Sequence, residues 1–304
     1  MKENLFKFNL YLGLLGLGIS SLLLTLGSPF MKTWFYIFAW WSFILVIDSL
    51  NFRQSHFSPL SESVKDFITL AFISVFIWLV FELFNLRLRN WSYHGLPSSA
   101  FERWLGYFLA FATVAPALKE LSIFYKNQLG GKKLALFKLQ TTSVLLNIFT
   151  LVGMASILMP LIWPELFFPL VWIGFVFLIE PINYRLKNDS LLKDWENMDW
   201  GRFWSWLMAG LSAGILWELF NYWAGSHWEY TLPYFYFGKV FQMPALGYFG
   251  FLPFSFEVFA ILTLLFSLKK KLSGKRFLQL VLCINFLIFS AICFMLIDKL
   301  TVIH

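Results

Sequence analysis

Nine apolar runs of about twenty residues follow one another along the chain, parted by short polar segments. They lie near residues 8–27, 33–50, 66–86, 103–124, 139–162, 165–182, 203–223, 243–268 and 276–297. A helix rises about 1.5 Å per residue, so each run is long enough to cross a hydrocarbon core of about 30 Å. The pattern predicts an all-α polytopic membrane protein with about nine transmembrane helices. Only Trp163 and Pro164 part the fifth run from the sixth. Lys2 and Lys7 precede or open the first run without a small-residue cleavage site after it, so it reads as a retained helix rather than a signal peptide. Its Gly13, Gly16, Gly18 and Ser20 would let a neighbouring helix come close.

The polar positions inside the runs recur. FELFN at 81–85 is followed by WSYHGLP ending at Pro97, and WELFN at 217–221 by HWEYTLP ending at Pro233, each Glu-to-Pro distance being 15 residues. VIDSLNFR at 46–53 matches LIEPINYR at 178–185, and Pro116 with Glu120 matches Pro253 with Glu257. A rival pairing of LGYF at 105–108 with LGYF at 246–249 differs from that carboxylate register by a few residues. Spans 2–4 therefore read as repeated in spans 6–8. Equivalent helices are an even number of spans apart, so the two units are parallel and imply a pseudo-twofold axis along the membrane normal. The expected organisation is a first repeat unit at 1–135, a second at 136–272 and an added ninth helix at 273–304.

Composition sharpens the class. Hydrophobic residues make up 59% and charged residues 13%, against about 25% charged in soluble domains. The net charge of +7 does not point to nucleic acid, because the basic residues sit in loops between spans. With the N-terminus cytoplasmic and the C-terminus outside, inner segments carry 18 Lys and Arg against 6 in outer ones. That orientation, in a cell (inner) membrane, is the expectation. Membrane lipids are then the obvious partners. Cys283 and Cys293 would be about 15 Å apart on one helix, too far for a disulfide. No His or Cys spacing suggests a metal, and no cofactor is expected.

The candidate chemistry lies in the intramembrane acids. An ionisable group within a span is costly, so it is a functional hypothesis by default. Glu82, Glu218 and Glu257 fit that description best, with Glu120 beside them as a further catalytic candidate. Asp48 and Glu180 should lie at inner helix ends, near Arg53 and Arg185, where they reach water. Asn85 and Asn221 follow Glu82 and Glu218 by three residues on one helix face. With Trp91, Tyr93, Trp228 and Tyr230 they are candidates for holding substrate. The acidic loop Asp189, Asp194, Glu196 and Asp199 lacks paired diphosphate-metal spacing and reads as a solvated cap on the seventh helix. His94 and His227 sit in the two aromatic turns at non-equivalent positions, at headgroup level.

A dry carboxyl group keeps its proton to higher pH and can serve as a general acid. Ring faces stabilise a developing cation, and a second carboxylate can remove a proton. Such parts suit cyclisation or isomerisation of an apolar polyene. The motifs resemble those of the small integral-membrane lycopene cyclases and related carotenoid-biosynthesis proteins. In that family a unit reads as an acidic residue, Trp-x-Phe, then Pro-x-Glu-Glu. The matching positions here are Glu82, Trp91 and Tyr93, Pro116 and Glu120, then Glu218, Trp228 and Tyr230, Pro253 and Glu257. A single Glu stands four residues after each Pro in place of the pair. The resemblance implies a carotenoid or other isoprenoid substrate and no redox change. The alternative is a transporter of a lipid or small molecule, with Pro116, Pro160 and Pro253 supplying helix breaks.

Overall fold

The computed structural model describes residues 2–234 and 238–303. Among these residues nine helices are long and apolar enough to cross a membrane: Phe6–Thr25, Pro29–Ser55, Val64–Leu88, Ala100–Leu129, Ser143–Ile162, Pro164–Arg185, Gly201–Trp223, Ala245–Lys271 and Arg276–Leu300. Each expected span falls on one of them, and the protein is an all-α polytopic membrane protein. The fifth and sixth spans do part at Trp163 and Pro164, where Pro164 opens a short helix, Pro164–Phe167.

Successive spans alternate in direction. At one end of the bundle, Gly225 donates its N–H to Lys32 O at 2.7 Å, and Arg87 Nε donates to Leu161 O at 3.0 Å. At the other end Trp200 Nε1 donates to Phe137 O at 3.0 Å, and Lys269 pairs with Asp66 at 2.6 Å. Each of these contacts joins connections of the same parity, as an up-and-down bundle requires.

Small residues set the closest approaches. A Cβ added to Gly13 would stand 2.7 Å from Ser42 O, and one on Gly153 would stand 2.5 Å from Leu178 N. The first glycine seats span one on span two, as the sequence suggests; the second seats span five on span six.

The fourth span is interrupted. Its helices run Ala100–Phe111 and Val114–Leu129. Pro116 has no N–H for the carbonyl four residues back, and its ring crowds that carbonyl. The residue four back is Ala112, where the helix breaks. Ser74 of span three fills the gap, donating to Phe111 O at 2.6 Å and accepting from Ala115 N at 2.9 Å. Pro160 and Pro253, also expected to break helices, lie inside continuous ones.

Two short strands cross the end of the bundle where spans three and seven finish. Strand β1, Trp91–His94, pairs antiparallel with β2, His227–Tyr230. The register sets Trp91 opposite Tyr230 and Tyr93 opposite Trp228. Partners across such a pair share a face, so these four rings point one way and Ser92, Glu229, His94 and His227 the other. The four rings turn toward the bundle core, with Trp91 and Tyr93 buried. The core itself is aromatic: Phe81 stacks on Trp172 at 5.2 Å, and Trp40 lies 5.8 Å from Trp217.

Candidate active site

The site begins at the end of span three. Arg89 closes that helix in the left-handed conformation, φ 52°, and turns the chain into β1. Asn85, one turn earlier, bolts helix to strand. Its Nδ2 donates to Trp91 O at 2.9 Å, while its Oδ1 accepts from Asn90 N at 2.8 Å and Trp91 N at 3.2 Å. Asn221 does the same at the end of span seven, donating to Trp228 O and accepting from Trp228 N, both at 2.8 Å. These two asparagines were expected to touch substrate. Their polar atoms are instead spent on the backbone, which fixes the inward pose of the strands.

That pose delivers the strand rings to the carboxylates. Glu82 Oε1 accepts from Trp78 Nε1 at 2.8 Å, Trp91 Nε1 at 3.1 Å and Tyr93 OH at 2.5 Å. Glu218 Oε1 accepts from Tyr230 OH at 2.7 Å. Both acids are at most 1% exposed, and among the described residues no ion pair includes either one. Burial first, and the neighbouring carboxylate second, push the phenols of Tyr93 and Tyr230 well above their usual range. They therefore act as neutral O–H donors.

Roofed by the strand rings lies a cavity of about 440 Å³. That size suits a small-molecule ligand. Its wall is almost wholly apolar. Tyr36, Trp78, Tyr107, Trp172, Trp217 and Phe254 are among the residues that line the wall beneath the roof. Glu82 and Glu218 do not themselves form its surface; the tyrosines and tryptophans bonded to them do.

The other expected acids lie elsewhere. Glu257 accepts the N–H of Phe175 at 2.9 Å, at the start of the helix Gly174–Arg185, which has no side-chain cap of its own. It thus caps a helix from the neighbouring eighth span and is not on the cavity wall. Glu120, the further catalytic candidate, is fully buried and holds Asn51 Nδ2 at 2.8 Å. Asp48 and Glu180, expected to reach water beside arginines, are 3% and 1% exposed. They accept backbone N–H groups of the short helices that follow them, from Leu60 at 3.0 Å and Leu191 at 2.8 Å. Each stays buried because it satisfies a donor that would otherwise be orphaned.

The acidic loop does cap the seventh helix. Asp199 accepts from Gly201 N at 3.0 Å, and Asp194 bridges to Arg202 at 3.1 Å. His94 and His227, non-equivalent in sequence, are register partners with rings 5.7 Å apart. Among the described residues no three His, Cys, Asp or Glu side chains are gathered as metal ligands.

Sequence reasoning missed Trp78, four residues before Glu82 on the same helix face, a spacing that could have revealed it. It also missed Asp298, whose partners are nearly two hundred residues away in sequence and left no local signal. No protein-family model matches the chain, and no curated protein and no solved structure matches it.

Proposed function

We propose that this protein is a membrane enzyme of two parallel repeats that cyclises or isomerises an apolar, carotenoid-like isoprenoid by proton transfer, without redox change. In this reading it is akin to the small membrane lycopene cyclases, whose motif pattern its residues resemble.

The doubling is supported by reciprocal contacts. Trp91 faces Tyr230, and its counterpart Trp228 faces Tyr93, the mutual exchange that a twofold axis produces. Trp40 meets Trp217 of the other half, and Trp172 meets Phe81. Asp48 and Glu180 hold the short helices that begin after Ser58 and Ser190.

Within the doubling, spans four and eight pair differently from the carboxylate register. Asn51 holds Glu120 O, whereas Asn183 holds Ala260 O. Ser74 meets Phe111 O, whereas a Cβ on Gly210 would meet Phe251 O. Both correspondences have the same sequence step, one residue short of the LGYF pairing. Glu257 then falls one turn away from the place that answers to Glu120. The symmetric acids are Glu82 and Glu218.

The observation that carries the reading is that each half brings one buried carboxyl group to the tyrosine of one shared roof over one aromatic cavity. In the proposed reaction one carboxyl, in its acid form, turns its O–H onto its tyrosine oxygen, reversing the hydrogen bond between them, as the tyrosine O–H swings to an alkene carbon and protonates it. The cation left on the next carbon is stabilised by ring faces. A second double bond of the chain gives its electron pair to that carbon, closing a C–C bond and moving the charge. The other half's tyrosine and carboxylate accept a proton from the adjacent carbon, which restores a double bond. Substrate and product have the same atoms, and one proton has crossed between the halves. The roof end faces outward in this reading, following the bias of lysine and arginine.

The test is expression in cells that make linear polyenes, comparing wild type with Glu82→Gln and Glu218→Gln. A new cyclic or isomeric product, lost in both variants, is expected. An unchanged lipid extract refutes the enzyme; altered solute uptake in its place would identify a carrier.

A further inference from the structure

We infer that Asp298 and the segment 301–303 are positioning elements for the Tyr93–Glu82 pair. The inference rests on the reading of Glu82 as one of the two working carboxyl groups. The ninth span looks like an addition to the doubled fold, yet its end reaches the candidate active site twice.

First, the chain after the span pairs with β1. Tyr93 N donates to Thr301 O, and Ile303 N donates to Tyr93 O, both at 2.8 Å. Tyr93 also faces Trp228 of β2. It therefore sits on the middle strand of a three-stranded arrangement: its own N–H and C=O both turn to 301–303, and Trp228 stands opposite it on the other edge. Its side chain is the one that reaches Glu82.

Second, Asp298 ties down the beginning of span four. Its Oδ1 accepts Arg103 Nε at 2.9 Å and Tyr107 OH at 2.8 Å. Its Oδ2 accepts Arg103 Nη2 at 2.8 Å and Trp104 Nε1 at 3.1 Å. The forked geometry with Arg103 fixes direction as well as distance. Arg103 Nη1 in turn donates to Pro97 O and Ser98 O at 3.0 and 2.7 Å, in the turn that leaves β1. The Tyr107 ring lies 6.0 Å from that of Tyr93. One carboxylate thus secures the strand's exit and the ring packed beside Tyr93, while 301–303 secures its backbone. Groups that must meet a reacting atom work best when their supports are locked in this way.

The experiment labels membranes holding the full chain with the apolar probe dicyclohexylcarbodiimide, which reacts with buried carboxyl groups. Mass spectrometry follows Glu82 and Glu218 separately. Asp298→Asn and Ile303→Pro should each raise the labelling rate of Glu82 roughly fivefold or more, the scale of one lost hydrogen bond. Glu218 should keep its wild-type rate, and Asp298→Glu should restore most of the protection at Glu82. Ile303 is exposed, and proline there removes one N–H, so this variant tests the idea even if Asp298→Asn does not fold. Equal increases at both glutamates, or no change at either, would overturn the positioning role. Unaltered product formation in Glu82→Gln would sink the enzyme reading alone and leave the labelling contrast standing.

Discussion

Replacing Asn85 by alanine tests whether this residue is a structural bolt. The side chain is fully buried and serves three backbone groups: Asn90 N–H, Trp91 N–H and Trp91 C=O. Alanine strands all three. A buried polar group left without a partner costs about 1–3 kcal/mol. With partial relaxation the expected loss is roughly 3–5 kcal/mol. Asn221→Ala strands two groups of Trp228, which is only half-buried, so water relieves part of the cost. Its expected loss is about 1–3 kcal/mol. Asn85→Asp keeps the acceptor for both N–H groups and should fall between wild type and alanine. Reversible unfolding in mixed micelles with rising SDS, followed by tryptophan fluorescence, gives all three values. The reasoning fails if Asn221→Ala is as damaging as Asn85→Ala. It also fails if Asn85→Ala leaves stability intact and weakens only ligand binding, since that is the signature of a substrate contact.

Gly153→Ala should cost about 1–3 kcal/mol, because the new methyl group would press on the backbone of Leu178, which cannot swing aside. Gly18→Ala, with open space at its Cβ, should be neutral or slightly stabilising in the same SDS titration. Ser74→Ala should speed hydrogen exchange at residues 112–115, since it removes the hydroxyl that bridges Phe111 O and Ala115 N; unchanged exchange there would refute the bridging role. Asp194 supplies a pH test. Burial lifts its carboxyl to about 6, against the pull of Arg202. The folded state then holds this proton more tightly than the unfolded one, so its contribution to stability falls from about pH 4 to about 6 and is flat above. The loss is roughly 3 kcal/mol at most. The melting temperature of Asp194→Asn relative to wild type should rise across that window, and a flat difference would contradict the assignment.

The spans were legible because a bilayer leaves the backbone few choices: long apolar runs must become helices. Glu82 and Glu218 were legible as costly groups in such runs, and Trp91, Tyr93, Trp228 and Tyr230 as site residues, since a local repeat marks both; that the two aromatic turns are paired strands was not, because their partners lie in the other copy of the repeat. The work of Glu257 was not legible. It depends on a helix that starts afresh at Gly174 in another span, after a tight turn that hydropathy does not register. For Glu120, the partner was not legible for a similar reason. Its neighbours in sequence are lysines, but its neighbour in space is Asn51, which lies on another span. The two asparagines were read by their distance from the glutamates, whereas their targets lie past the helix end, across a turn whose geometry alone decides who is reached.

The pairing of Tyr93 with Val302 has a consequence for biogenesis. Ribosomes add about 5–20 residues per second, so on the order of ten to forty seconds separate the synthesis of these two positions. Through that interval spans three and four are already in the bilayer, and Tyr93 has not yet met the last strand that flanks it. Until then the N–H and C=O of Tyr93 lack the partners that residues 301 and 303 give them. The bridge is thus the docking of a later-made segment onto an earlier-made strand, so β1 reaches its full set of backbone partners only after residues 301–303 arrive.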